Sequence, residues 1–244
     1  INSQPLKGEN VYLTNYQKEV ISFWEGFLKM FSKNDIPSFP IWSQEWGANY
    51  PFIDTTPHAT PASKLKGLKG SFGKKIISNQ KKEIFLNTLP RYSTTKQDKF
   101  PSWKIRFIKK NREFYLNNKT SIDGFLKKNR NFFDFEFSHQ KFEWNCKGEE
   151  NILYDKLIQF RPSGIRVKKK NWAPALTTVR TQNIFYPKLG RQLSVLENAR
   201  LQSLELNFLP DIKKGKFHAN GGYKALGNAV NVRVVKLIAK NLLN

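Results

Sequence analysis

Between residues 36 and 61 the chain sets Pro37, Pro40, Pro51, Pro57 and Pro61 around large aromatics that include Trp42, Trp46, Tyr50 and Phe52. Their centre reads "FPIWSQEWGANYPF". Proline lacks the backbone donor and clashes with the preceding turn, so no long helix crosses this stretch. That much aromatic surface is not left in water. The segment is expected to be a packed, ordered loop, and it needs a core to pack on. A chain of 244 residues is long enough to supply one, as one large domain or two modest ones.

Upstream, Thr14 and Gln17 have capping-box spacing. Tyr16, Val20, Phe23, Trp24, Phe27 and Phe31 recur on one helical face, which predicts a core-packing helix over 14–31. Lys and Arg outnumber Asp and Glu 42 to 19, a formal charge of +23. Such an excess repels itself unless a polyanion relieves it, and nucleic acid is the commonest one. An anionic membrane surface is the second candidate for that charge, though no apolar run approaches the roughly 20 residues that span a bilayer, and no membrane partner is expected. The lone Cys146 excludes an internal disulfide framework and suits a reducing cytoplasm. One Cys and three His are too few for a typical structural zinc site, so no metal is expected. The only methionine is Met30 and the chain opens at Ile1, so sequence upstream of Ile1 is expected.

Two basic segments follow. Residues 64–82, "KLKGLKGSFGKKIISNQKK", hold seven lysines, three glycines and no acid. Glycine permits close backbone approach and lysine neutralises phosphate without fixed geometry. A solvated flexible loop has the same composition. Residues 104–130 hold nine basic residues against two acidic, interleaved with Phe107, Phe114, Tyr115, Phe125 and Leu126. That pattern suits single-stranded nucleic acid, and it suits an amphipathic helix on a core equally well.

Residues 158–182, "IQFRPSGIRVKKKNWAPALTTVRTQ", place Arg161 and Arg166 around a Pro-Ser-Gly turn, followed by three lysines and a Thr-rich, strand-like run. Arginine on a tight turn presents a rigid fork to a guanine edge or a phosphate. Ser194 and Glu197 in "RQLSVLENARLQS" form a second capping box, with Val195, Ala199 and Leu201 available for burial. In "YKALGNAVNVRVVKLIAKNLL" the residues Val232, Val235, Ile238, Ala239 and Leu242 make an apolar stripe. Gly227-Asn228-Ala229 stands just before that helix. Free N–H groups at a helix start can cradle a polar ligand, and a plain turn into a docking helix explains the same residues.

Taken together these stretches resemble the C5-cytosine DNA methyltransferases. Arg191-x-Leu193-Ser194-x-x-Glu197-x-Ala199-Arg200-Leu201-Gln202 is similar to the family's ninth conserved motif. Tyr223-Lys224-x-x-Gly227-Asn228-Ala229-Val230 is similar to the tenth, in the same order and near the C-terminus. The segments "WKIRFIKKNREFY", "FEWNC" and "IQFRPSGIRVKKKNWAPALTT" resemble the recognition region of one bacterial branch. After Gln202 the chain departs from the pattern, with the longer "SLELNFLPD". The family's Pro-Cys nucleophile and its Gly-rich cofactor loop do not occur in these 244 residues, and a Glu-Asn-Val string occurs once, at residues 9–11.

The resemblance implies an α+β protein. A loop-rich DNA target-recognition domain is expected over 1–185. Residues 186–244 are expected to complete a doubly wound α/β methyltransferase domain supplied by a missing N-terminal half. It implies duplex DNA contacts from Arg161, Ser163, Gly164, Arg166, Lys168, Thr177 and Thr178. It further implies an S-adenosylmethionine wall at Asn228, Ala229 and Val230, and no catalytic residue within the chain. The implied partner is a catalytic half carrying the Pro-Cys and Gly-rich motifs, in a bacterial cytoplasm. Two other readings stand beside it: a non-catalytic, sequence-specific DNA-binding protein that keeps the fold, and an RNA-binding protein that uses residues 104–130.

Overall fold

A computed structural model of the chain describes residue 9 and residues 12–76, 82–204 and 219–243. From the N-terminus the elements are α1 (Asn15–Leu28), β1 (Ile41–Trp42), α2 (Ala62–Leu65), α3 (Lys82–Asn87), α4 (Ser102–Asn117) and α5 (Lys119–Lys128). There follow β2 (Lys141–Asn145), β3 (Leu157–Arg161), β4 (Gly164–Lys168), β5 (Ile184–Tyr186) and β6 (Arg191–Gln192). The chain closes with α6 (Val195–Leu201), α7 (Ala219–Asn228) and α8 (Val232–Leu243). This α+β set forms two compact units, one from residues 1–36 and 144–244 and one from 37–143. Among the described residues no helix is long and apolar enough to cross a membrane.

In the unit formed by the chain's two ends, α1 begins on its capping box. The Gln17 N–H donates to Thr14 Oγ1 at 3.1 Å and the Thr14 N–H to Gln17 Oε1 at 3.0 Å. The predicted last turn is present as tighter bonds, Met30 N–H to the Phe27 carbonyl and Phe31 N–H to that of Leu28. Asn151 Nδ2 donates to the Phe31 carbonyl at 2.8 Å and joins the Phe31 N–H on that of Leu28. Val20, Phe23, Trp24 and Phe27 are buried on one face, with Trp24 and Phe27 edge to face. The strands of this unit run β4-β3-β5-β6, each neighbour antiparallel.

The 37–143 unit explains how a proline-rich segment becomes ordered. Regular pairing is confined to β1, where Ile41 faces Phe142 and Trp42 faces Lys141. Elsewhere side chains replace ladder bonds. Asn111 of α4 accepts the Trp42 N–H at 2.7 Å and donates to the Pro40 carbonyl at 3.0 Å. Glu45 is fully buried and takes hydrogen bonds from the Tyr50 and Tyr92 hydroxyls and from Arg112 Nε. The Arg112 guanidinium also lies 4.3 Å from the Tyr50 ring centre and 4.5 Å from that of Phe52. Residues 104–130 resolve into α4 and α5, whose Ile108, Tyr115, Ile122 and Leu126 are buried. Arg106, Lys109, Lys110, Lys127 and Lys128 stand exposed on the opposite side.

Candidate functional site

The Pro-Ser-Gly turn is the tip of a β3–β4 hairpin. Arg161 pairs with Gly164 across a two-residue loop, and Gly164 has φ of 133°, where a side chain would be strained. The register sorts the basic residues. Ile158, Phe160, Ile165 and Val167 point to one face and are buried. Leu157, Gln159, Arg161, Gly164, Arg166 and Lys168 share the other, because directly paired residues lie on the same side of a sheet. Arg161, Arg166 and Lys168 are half-buried there, and Ser163 is exposed at the tip. Three candidate contacts thus come together on one surface.

Gln159 stands at the centre of that face, marked by no motif in the sequence. Its amide donates to the Ala175 and Gln182 carbonyls, both at 3.1 Å, and so ties the loop after β4 to the hairpin. This loop carries Thr177 and Thr178. It is not the strand-like run that its composition suggests; its backbone enters no ladder, and Thr177 Oγ1 donates instead to the Val179 carbonyl at 3.2 Å. Leu176 anchors it in two apolar clusters, one around Leu157, Ile184 and Leu193, the other around Val195, Ala199, Tyr223 and Leu226. Trp172, on the turn at its start and just past the 168–170 lysine run, is 70% exposed.

The second capping box has more in it than helix initiation. Glu197 N–H donates to Ser194 Oγ, and Glu197 Oε2 accepts the Ser194 N–H at 2.9 Å. The same carboxylate takes a two-pronged bond from Arg191, at 2.8 and 3.0 Å, and both side chains are buried. Burial opposes the charge on Glu197, but Arg191 and the Ser194 N–H outweigh it and hold the carboxyl below its usual value. Val195 and Ala199 are buried as expected, whereas Leu201 is 38% exposed. The helix ends in a Schellman turn: Ser203 has φ of 56°, its N–H donates to the Arg200 carbonyl, and the Leu204 N–H donates to that of Ala199. The longer exit is described only to Leu204; residues 205–218, which carry most of it, lie outside the described residues.

Gly227 and Asn228 close α7 and do not directly precede a helix. The groups available at this end are therefore carbonyls, not the free N–H groups of a helix start. Gln202 of the ninth-motif segment holds the Leu226 and Ala229 carbonyls at 2.9 and 3.0 Å, so the two motif-like stretches are joined. Tyr223 is buried, its hydroxyl bonded to the Leu193 carbonyl and to Glu9. Asn228 and Val230 are exposed and Ala229 is half-buried. Asn231 then caps α8, accepting the Val234 N–H at 3.1 Å. Val232, Val235, Ile238 and Leu242 of α8 are 46%, 46%, 54% and 79% exposed, so the stripe has no cover among the described residues.

Gly227, next to the first cofactor-wall candidate, meets the threonine loop. A Cβ added at Gly227 would come well inside 3.0 Å of the Thr177 carbonyl and the Thr178 nitrogen. Cys146, by contrast, is fully buried, and burial pushes its thiol up to about 12. It holds no thiolate for nucleophilic attack.

The C-5 cytosine-specific DNA methylase model matches residues 58–244. The chain belongs to that family. Within it, the chain is 27% identical over 241 residues to the type II methyltransferase M.AluI of Cellulosimicrobium cellulans. The alignment takes in 93% of this chain and 43% of that relative, so the chain spans less than half of the relative's length. No solved structure matches. The methylase match includes the β3–β4 hairpin, the Arg191–Glu197 pair and the Gly227–Asn228 helix end.

Proposed function

We propose that this chain is the DNA-recognition half of a C5-cytosine methyltransferase. One observation carries the reading: Gly227, beside the cofactor-wall candidates, packs on the Thr177–Thr178 peptide of the loop that Gln159 ties to the basic hairpin face. Arg161, Ser163, Gly164, Arg166, Lys168, Thr177 and Thr178 then form a duplex-DNA surface. Base-edge contacts choose the sequence there and phosphate contacts set the register. Residues 1–185 hold the recognition role. Residues 186–244 complete a doubly wound sheet whose remainder lies outside these 244 residues, either upstream or on a second subunit.

S-adenosylmethionine supplies the electrophilic methyl group, and its charge fits this surface. The donor is a sulfonium cation, and the end of α7 presents carbonyls and the negative pole of the helix dipole. Asn228 offers an exposed amide there and Val230 an exposed apolar side chain, with Ala229 between them. The reacting cytosine is swung out of the duplex, since its C5 is out of reach inside the stack. The thiolate that attacks it comes from the Pro-Cys half, because Cys146 is buried and protonated. The apolar face of α8 packs on that half.

The test is methyl transfer with and without the second half. The chain alone binds duplex DNA and transfers nothing from S-adenosylmethionine; adding a polypeptide with the Pro-Cys and Gly-rich motifs restores transfer. Transfer by the chain alone overturns the proposal. DNA binding that no such polypeptide converts to transfer favours the non-catalytic DNA-binding reading.

A further inference from the structure

The lysine-rich segment of the 37–143 unit folds into a built element that the proposed function leaves unused. Residues 67–76 form a tight hairpin. Lys69 and Lys75 are bridge partners, and the bonds flanking them run from the Gly70 N–H to the Lys74 carbonyl and from the Ile76 N–H to that of Leu68, both at 2.8 Å. This is the narrow, non-hydrogen-bonded type of antiparallel pair, in which facing side chains are closest. Two exposed lysines thus stand directly opposite each other, an arrangement that destabilises a hairpin through like-charge repulsion. The tip carries a second local cost. Phe72 has φ of 55° and ψ of 30°, a left-handed conformation rare for a bulky side chain.

The surroundings hold this conformation in place. The Ser71 N–H donates to the Thr88 carbonyl and the Asn49 N–H to that of Lys69. Gly70 sits so close to Thr88 that a Cβ would strike its carbonyl, and Gly73 lies against Gly47. The Phe72 ring meets Phe132 and Phe133 edge-on at 5.9 and 5.1 Å. Lys64, Lys66 and Lys74 are exposed beside the pair, and residues 64–76 contain no acid. Two unfavourable local choices maintained at one charged loop mark a functional element.

We propose that this hairpin seats the phosphate backbone of duplex DNA, independently of base sequence, with Lys69 and Lys75 sharing the phosphates that relieve their repulsion. The inference rests on the DNA-binding reading above and adds to it a second contact element. It predicts two effects of Lys69→Gln/Lys75→Gln in the full chain. The slope of log affinity against log salt flattens by about 1.8, so between about 50 and 200 mM salt the wild type loses about 12-fold more affinity than the variant. The preference for one DNA sequence over another is unchanged, and the melting temperature does not fall, since a repulsion has been removed.

Lys69→Arg/Lys75→Arg keeps the wild-type slope. If the double glutamine variant folds poorly, Lys69→Gln alone must still flatten the slope by about 0.9. A wild type that binds duplex DNA while these variants retain its slope overturns the hairpin proposal. A wild type with no salt-dependent duplex binding overturns the DNA reading itself.

Discussion

Gly227 lies directly against the carbonyl of Thr177, at a separation that leaves no room for a Cβ. The helix that ends at Asn228 and the loop bearing two DNA-contact candidates are therefore in backbone contact. Alanine would gain roughly 1 kcal/mol over glycine as a helix former. Forcing a methyl into fixed backbone costs about 1–3 kcal/mol. Gly227→Ala is expected to lower the melting temperature and weaken DNA binding with it. Gly124→Ala in α5, where nothing lies within 4 Å, is the control and should raise stability. Calorimetry on both variants decides; equal gains would show that the Thr177 loop gives way freely.

The Arg191–Glu197 pair makes stability depend on acid. The Glu197 carboxyl is held below its ordinary value of 4.5 by Arg191 and the Ser194 N–H, against burial. A depressed carboxyl contributes its stability above the unfolded-state value, and that contribution is lost as pH falls through the folded one. Unfolding free energy should fall below about pH 4.5, where the unfolded chain takes up the proton first. Glu197→Gln leaves Arg191 buried without its counter-charge, at a cost of about 3–5 kcal/mol near neutrality. It should also flatten the acid limb. Denaturant titrations across pH, with parallel acid limbs in wild type and variant, would remove this pair as the cause.

Arg161 and Arg166 share a hairpin face with Lys168 and differ in place, one at the tip and one opposite Gln159. Substituting a base-reading arginine by alanine should cost about 1–3 kcal/mol and relax sequence choice. Substituting a phosphate-binding one should weaken all sequences alike and reduce the salt slope by about 0.9. Binding of Arg161→Ala and Arg166→Ala to a panel of duplexes separates the roles. Wild-type behaviour in both would make the turn structural.

Asn228 is exposed at the end of α7, and Gln202 holds the two carbonyls on either side of it. In the enzyme assembled with its catalytic half, Asn228→Leu should raise the Michaelis constant for S-adenosylmethionine with little change in DNA affinity. One polar group left unpaired costs about 1–3 kcal/mol, a five- to 150-fold weakening, roughly. Gln202→Leu should weaken the cofactor as well, and lower the melting temperature, because it frees the segment. Cofactor titration into assembled complexes measures both; unchanged affinity in Asn228→Leu takes that side chain out of the site.

The α8 face should matter to assembly and not to the chain alone. Val235, Ile238 and Leu242 are each about half exposed or more, so Val235→Ser, Ile238→Ser and Leu242→Ser should shift the isolated chain by no more than about 0.5 kcal/mol each. Combined, they should abolish sedimentation with the catalytic half. A large loss of stability in the isolated chain would mean that α8 is covered by the chain itself.

Local chemistry was legible in the sequence wherever a short-range rule governs the outcome. The Thr14 and Ser194 capping boxes need only three-residue spacing, and both are formed. The turn at Pro162 and Ser163 follows from its residues, whereas the antiparallel pairing on either side of it came from the structure. Family membership was readable because its two motifs are contiguous strings of side chains. Tertiary structure decided what these pieces do to one another. Only the register shows that Arg161, Arg166 and Lys168 share a face, since a one-residue slip would have turned each of them over. Gln159 reads as an ordinary polar residue and Gln202 as the last residue of a motif until the carbonyls that they hold, from 16 to 27 positions away, are brought within reach. Glu197 reads as a capping residue, and the return of Arg191 to its side makes it half of a buried ion pair. Gly227 reads as a turn residue, and the missing Cβ serves instead to admit the Thr177 backbone. Sequence spacing encodes contacts made within a turn or two; close packing between distant segments depends on where the whole chain brings their surfaces together.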